Sequence, residues 1–142
     1  MLKVQFIYAP TRVPARFAEL GEGLTPPLGI LSLAAHLRAH IPSLDIRCID
    51  GLQLGYEKTV EAIRSFKPDV LGLSFNTPVA RSAYALIDKV RPILPDSLIL
   101  CGGAHVTALP EECLLLSQAD AVVMGEGEET LTEIVRNFIG GG

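Results

Sequence analysis

Among the side chains able to do chemistry, His105, Glu126 and Glu128 come nearest to a reacting set, since an imidazole beside a carboxylate can work as an acid and base. No nucleophile with an evident base accompanies them. The three cysteines, Cys48, Cys101 and Cys113, are too widely spaced for a zinc or iron–sulfur loop. Lying in or beside apolar runs, they read as buried thiols of a reducing compartment, and a cytoplasmic location is expected. Gly125-Glu126-Gly127-Glu128-Glu129-Thr130 looks superficially like a dinucleotide loop, but its third glycine is missing and carboxylates stand where a pyrophosphate would dock. Those glutamates suit the positive end of a following helix, worth about 0.3–1 kcal/mol each. Gly102-Gly103 removes two Cβ atoms that would keep a flat ligand off the backbone. Ser74 closes an apolar run, where its hydroxyl needs either a buried partner or a ligand.

The elements that must position these groups are legible as alternating patterns. Five apolar runs, Val4 to Ala9, Leu44 to Ile49, Val70 to Ser74, Leu98 to Cys101 and Ala121 to Met124, read as strands. Most are continuously apolar, as expected of a parallel sheet covered on both faces. Between them lie helical stripes: Leu28 to Leu37, Val60 to Phe66 ended by Pro68, Val79 to Leu94, Glu111 to Ser117 opened by Pro110, and Leu131 to Phe138. Five βα units predict an α/β fold, a doubly wound, flavodoxin-like (Rossmann-like) parallel sheet of order 2-1-3-4-5. At 142 residues, the chain is one domain's worth and buries roughly 70% of its unfolded surface. A net charge of −4 with scattered basic residues gives no footprint for nucleic acid or an anionic membrane. No apolar run approaches the roughly 18 residues of a membrane span.

In such sheets ligands sit outside the carboxyl ends of the strands. This selects the loops Pro10 to Pro27, Asp50 to Gly55, Phe75 to Thr77, Gly102 to Leu109 and Gly125 to Glu128. The first is long for a compact domain, which points to function. Tyr8, Pro10, Arg12 and Arg16 belong with it, either beside a ligand or facing solvent. A receiver domain is excluded because its acidic pair, phosphorylatable Asp and Lys are all missing; a flavodoxin lacks its hydroxyl-rich phosphate loop. Thr77 is expected to cap a helix with Pro78 at its first position. Asp50 as a ribose carboxylate has no support without a glycine-rich fingerprint.

Four segments in order, Pro26-Pro27-Leu28-Gly29, Lys67 through Ser74, Gly102-Gly103-Ala104-His105 and Gly125-Glu126-Gly127-Glu128, carry a resemblance over nearly the whole chain. It resembles the cobalamin-binding domain at the N-terminus of radical S-adenosylmethionine enzymes, the group that includes the anaerobic magnesium-protoporphyrin IX monomethyl ester cyclase. The wider family pattern is DxHxxG, then SxL, then GG. Gly29, Ser74 and Gly102-Gly103 match its small positions, with 44 residues between Gly29 and Ser74 and 25 between Asn76 and Gly102. Leu24 stands at the Asp position, Pro26 at the His position and Asn76 at the Leu position.

The resemblance implies cobalamin as cofactor, bound base-off without a protein His ligand, because proline has no ligating atom. Tyr8, Pro10, Pro26, Leu28, Gly29, Ser74, Asn76, Thr77, Gly102, Gly103, Ala104, His105, Gly125, Glu126 and Gly127 are its implied contacts. His105 is expected to touch the corrin amides or the nucleotide tail and not cobalt, while His36 and His40 read as solvent-facing helix residues. Residues 1–142 are then a single, non-catalytic domain cut from a longer chain, whose downstream radical domain holds the iron–sulfur cluster and S-adenosylmethionine. The C-terminal Gly140-Gly141-Gly142 fits such a boundary and also suits a helix cap. The rival expectations are a cofactor-free interaction domain and a small-molecule enzyme using His105 with Glu126 or Glu128.

Overall fold

The computed structural model describes residues 1–12 and 26–141; Arg16 and Leu24 lie outside them. Five parallel strands, β1 (Lys3–Tyr8), β2 (Asp45–Asp50), β3 (Val70–Ser74), β4 (Leu98–Gly102) and β5 (Ala121–Val122), form one sheet of order 2-1-3-4-5. The continuous apolar runs have the predicted cause, since both faces of the sheet are covered. Ile7, Leu71, Leu73, Ile99 and Cys101 pack with residues of α3 (Tyr56–Phe66) and α4 (Ala80–Val90). Val4, Phe6, Ile46, Val70 and Leu100 pack on the other face with α1 (Leu28–His40) and α7 (Glu128–Ile139). Among the described residues no helix is long and apolar enough to cross a membrane.

Strand register decides what reaches the carboxyl edge. Tyr8 pairs with Asp50 on one side and Ser74 on the other, and Ser74 pairs with Gly102. Asp50, Tyr8, Ser74 and Gly102 therefore form one row across four strands, and every βα loop above it starts from a common level. The opposite edge is closed by Asp69, whose carboxylate accepts from Lys3 N–H at 2.8 Å, after Lys67 ends α3 in the left-handed region with Pro68 behind it.

Three local expectations are corrected. The Asp50–Gly55 and Gly102–Leu109 loops contain short helices, α2 (Gly51–Leu54) and α5 (Ala104–Ala108), the latter followed at once by α6 (Pro110–Leu116). Thr77 does not cap a helix: it opens a 3-10 turn, Thr77–Val79, with Pro78 second, and its hydroxyl is engaged elsewhere. The Val79–Leu94 stripe is broken into that turn, α4 and a second 3-10 turn at Arg91–Ile93, because Pro92 cannot donate to a continued helix. Asp50 caps α2, accepting from Leu52 N–H at 3.1 Å, which accounts for its carboxylate without a ribose.

Candidate functional site

Beside the row at the carboxyl edge, between the sheet and α1 and α7, lies a narrow cavity of about 70 Å³. Its floor is made by Phe6, Gly72 and Leu100, its walls by Ile30 and Leu33 of α1 and Leu131 of α7, and its mouth by Ser74, Gly102, Gly103, Val123, Gly125 and Gly127. Gly72 explains the floor. It pairs directly with Phe6 across β1 and β3, and a Cβ on it would lie 2.9 Å from Phe6 Cδ1, so glycine lets the ring lie flat against the strand. A larger, open depression of about 650 Å³ lies along α3 and α4 by Arg12, Tyr56 and Lys89, away from this row.

The two glycines after β4 have different reasons. Gly103 adopts φ +104°, and a Cβ there would meet Phe75 O at 2.9 Å and Ser74 Oγ at 3.0 Å. The protein's own backbone therefore excludes a side chain at Gly103. At Gly102 a Cβ would meet only Val123 O, at 3.5 Å, and Gly102 shares the slot-facing side of β4 with Leu100. Of the two, it is Gly102 that keeps space open for something other than the chain itself. Gly29, in the first turn of α1, has nothing within 4 Å of its would-be Cβ. Pro26, Leu28 and Gly29 are exposed there, next to the slot-lining Ile30.

Tyr8 and Asn76 meet at the edge itself, the Asn76 amide donating to Tyr8 Oη at 3.1 Å. Pro10 is buried beneath, against Gly51, whose missing Cβ makes room for Tyr8 O and the Pro10 ring. Ala104 and Glu126 are exposed at the rim. Glu128 and Glu129 occupy the first turn of α7, and Glu128 accepts from Ser32 Oγ at 3.0 Å, tying α7 to α1.

His105 is 4% exposed and lies on the opposite side of β4 from the slot, among Phe75, Tyr84 and Cys113. Its Nε2 is 2.9 Å from Glu112 Oε1 and its Nδ1 is 3.0 Å from Thr77 Oγ1. In the neutral ring, Nε2–H donates to the carboxylate and Nδ1 accepts from the hydroxyl. Tyr84 O–H donates to the same Glu112 oxygen at 3.0 Å. The two hydrogen bonds, led by that of His105, hold the Glu112 carboxyl below the usual range; burial and the Glu112 contact push the Tyr84 phenol up. Neither Glu126 nor Glu128 is His105's partner, so the expected acid–base pair is not assembled. Any ligand reaching an imidazole nitrogen would have to displace Thr77 or Glu112. His36 and His40 stack on α1 with ring centroids 4.1 Å apart, and His40 Nδ1–H donates to the His36 carbonyl.

The structure thus brings Ser74, Gly102, Gly103, Gly125 and Gly127 to one slot and Tyr8 and Asn76 to its edge, and places Thr77 and His105 behind it. Sequence reasoning missed the slot's apolar lining and missed Glu112 and Tyr84. A glycine in mid-strand at Gly72 was the available signal for the former.

Residues 19–135 match the B12 binding domain family. The chain is 33% identical over 141 residues to an uncharacterized methyltransferase, PH0819, of Pyrococcus horikoshii, covering 95% of this chain and 29% of that protein. It is 29% identical over 116 residues to the anaerobic magnesium-protoporphyrin IX monomethyl ester cyclase of Rubrivivax gelatinosus, covering 80% of this chain and 21% of the cyclase. The fold superimposes on the cobalamin-dependent S-adenosylmethionine radical enzyme OxsB, solved with aqua-cobalamin and S-adenosylmethionine, with a TM-score of 0.78 at 17% identity, over 99% of this chain and 19% of OxsB. The chain spans less than a third of each of these proteins. The sheet order, the carboxyl-edge slot and the sequence match agree, and the chain belongs to the B12-binding domain family.

Proposed function

We propose that this chain binds cobalamin at the carboxyl edge of its sheet, base-off and with no protein nitrogen on cobalt, as the accessory domain of a radical S-adenosylmethionine enzyme. The observation that carries the reading is the apolar slot beside the Tyr8–Ser74–Gly102 row, kept open where Gly102 lacks a side chain. Ser74, Gly102, Gly103, Gly125 and Gly127 would hold the nucleotide tail there, and Tyr8, Asn76 and Gly29 are the groups left at the edge to meet the corrin. Bound cobalamin supplies a cobalt centre able to carry a methyl group or exchange electrons. The chain's own residues bind and orient it. Pro26, which stands at the His position of the family pattern, offers cobalt no ligand, and His105 is committed to Thr77 and Glu112. His105 instead ties the Thr77–Val79 turn to α5 and α6.

The chain's small share of its relatives' length supports a catalytic domain in cis. Incubation with hydroxocobalamin followed by gel filtration tests the reading: stoichiometric cobalamin should elute with the protein. Elution of the protein free of cobalamin overturns it.

A further inference from the structure

The helices covering the sheet differ in what they show to solvent. Helix α3 exposes Glu61 and Arg64, α4 Arg81 and Lys89, and α7 Glu133 and Arg136, the charged outer face expected of a helix that buries its other side. Helix α6 breaks this pattern. It buries Cys113 and exposes three consecutive leucines, Leu114, Leu115 and Leu116, the last two to 81% and 61%. Leu115 and Leu116 join Leu109 and Pro110 around an open depression of about 520 Å³. A contiguous apolar patch on an otherwise charged surface marks a place of contact with another protein surface. The charged side chains lining the depression are Glu111 and Glu112, and no cation lines it among the described residues.

We propose that this leucine face of α5 and α6 is where the catalytic domain in cis docks, through an apolar segment flanked by Lys or Arg. The proposal rests on the accessory-domain reading above. Charge selects the occupant. In a symmetric contact with a second copy the face would meet itself and set Glu111 and Glu112 against their own counterparts, whereas a basic flank pairs with them. Position agrees with the same occupant, because α5 follows Gly103 directly and Ala108 lines the depression, so the face adjoins the carboxyl edge. A domain seated over that edge reaches the leucines as part of one continuous contact. Size agrees as well: this chain spans 29% of the methyltransferase and 21% of the cyclase it resembles, which leaves each relative ample further chain to supply such a segment.

The test compares this chain with the full-length parent enzyme, each carrying Leu115→Cys, by maleimide labelling with the labelled site read by mass spectrometry. Arg64→Cys, exposed on α3, is the control. The expected result is labelling at position 115 about tenfold slower in the parent than in the chain, with equal rates at position 64. Raising the salt concentration should narrow the difference at position 115, because the rim charges are screened. Equal labelling at position 115 in both proteins, from a parent that elutes with cobalamin, overturns the docking face and leaves the cofactor reading intact. A parent that elutes without cobalamin while position 115 stays protected defeats the cofactor reading and leaves the docking face standing. Sedimentation of the unmodified chain covers the remaining occupant: a monomer is expected, and a dimer dispersed by Leu115→Lys would give the face to a second copy and overturn the proposal.

Discussion

Glu112 accepts from both His105 and Tyr84 on one oxygen, and its carboxyl is held below the ordinary carboxylate value of about 4.3. A depressed folded value means that the ionised group's contribution to stability is fully present above the unfolded value and is lost as pH falls through the lower folded value. Denaturant titrations across the acid range should therefore show stability falling, and Glu112→Gln should flatten that limb; an acid limb unchanged in the variant would show that the cluster does not couple to folding. At the carboxyl edge the two adjacent glycines separate just as cleanly. Gly102→Leu fills the slot without backbone strain and should weaken cobalamin binding by more than tenfold with little change in Tm. Gly103→Leu forces a branched residue to φ +104° against Phe75 O and should destabilise the fold by at least about 1–2 kcal/mol. Thermal melts and spectral titrations of the pair distinguish a ligand-facing glycine from a structural one, and a Gly102→Leu protein that binds normally would remove the slot from the account.

At the level of elements, β5 has only two residues, so its placement depends on side chains at the other edge. Arg91 donates to the carbonyls of Leu94, Ser97 and Gln118 and pairs with Asp120 at 2.7 Å, and Asp120 also accepts from Ile99 N–H. Arg91→Leu should cost about 2 kcal/mol, because several acceptors lose a charged donor at once, yet leave cobalamin affinity unchanged; a drop in affinity equal to that of Gly102→Leu would mean that the two edges are coupled. The strands and the long helices were legible in the sequence because continuous apolar runs and three-and-four spacing report burial directly. Helices α2 and α5 were not, since four or five residues hold too little of a helical period to be seen. The slot was half legible. Ser74 and Gly102 stood out as small residues at strand ends, but in a strand buried on both faces nothing distinguishes Phe6 and Leu100 from Ile7 and Cys101 until the register shows which side faces α1. His105's partner was hidden for a related reason: Glu112 lies seven positions on, and only the break between α5 and α6 brings it back to the imidazole.

At the scale of the whole molecule, the role proposed above is that of a cofactor platform serving a catalytic domain in cis. Cys101 is 1% exposed and Cys113 fully buried, on β4 and α6, while Cys48 is half-buried on β2. Burial pushes the Cys48 thiol up, and the hydrogen bond with Cys113, then burial, pushes the Cys101 thiol up, while the same bond draws the Cys113 thiol down. Placed on three different elements, with two of the three buried, these thiols do not form a cluster loop. Reconstitution with iron and sulfide under reducing conditions should leave the chain colourless and unable to cleave S-adenosylmethionine; stoichiometric cluster uptake would contradict the division of labour. The most direct test of the central claim is electron paramagnetic resonance on the cob(II)alamin complex of this chain. The proposal predicts a base-off spectrum without splitting from an axial nitrogen, because Pro26 stands at the family's His position and offers no ligating atom. A nitrogen-split spectrum would contradict it, and loss of that splitting in His105→Ala would identify His105 as the lower ligand.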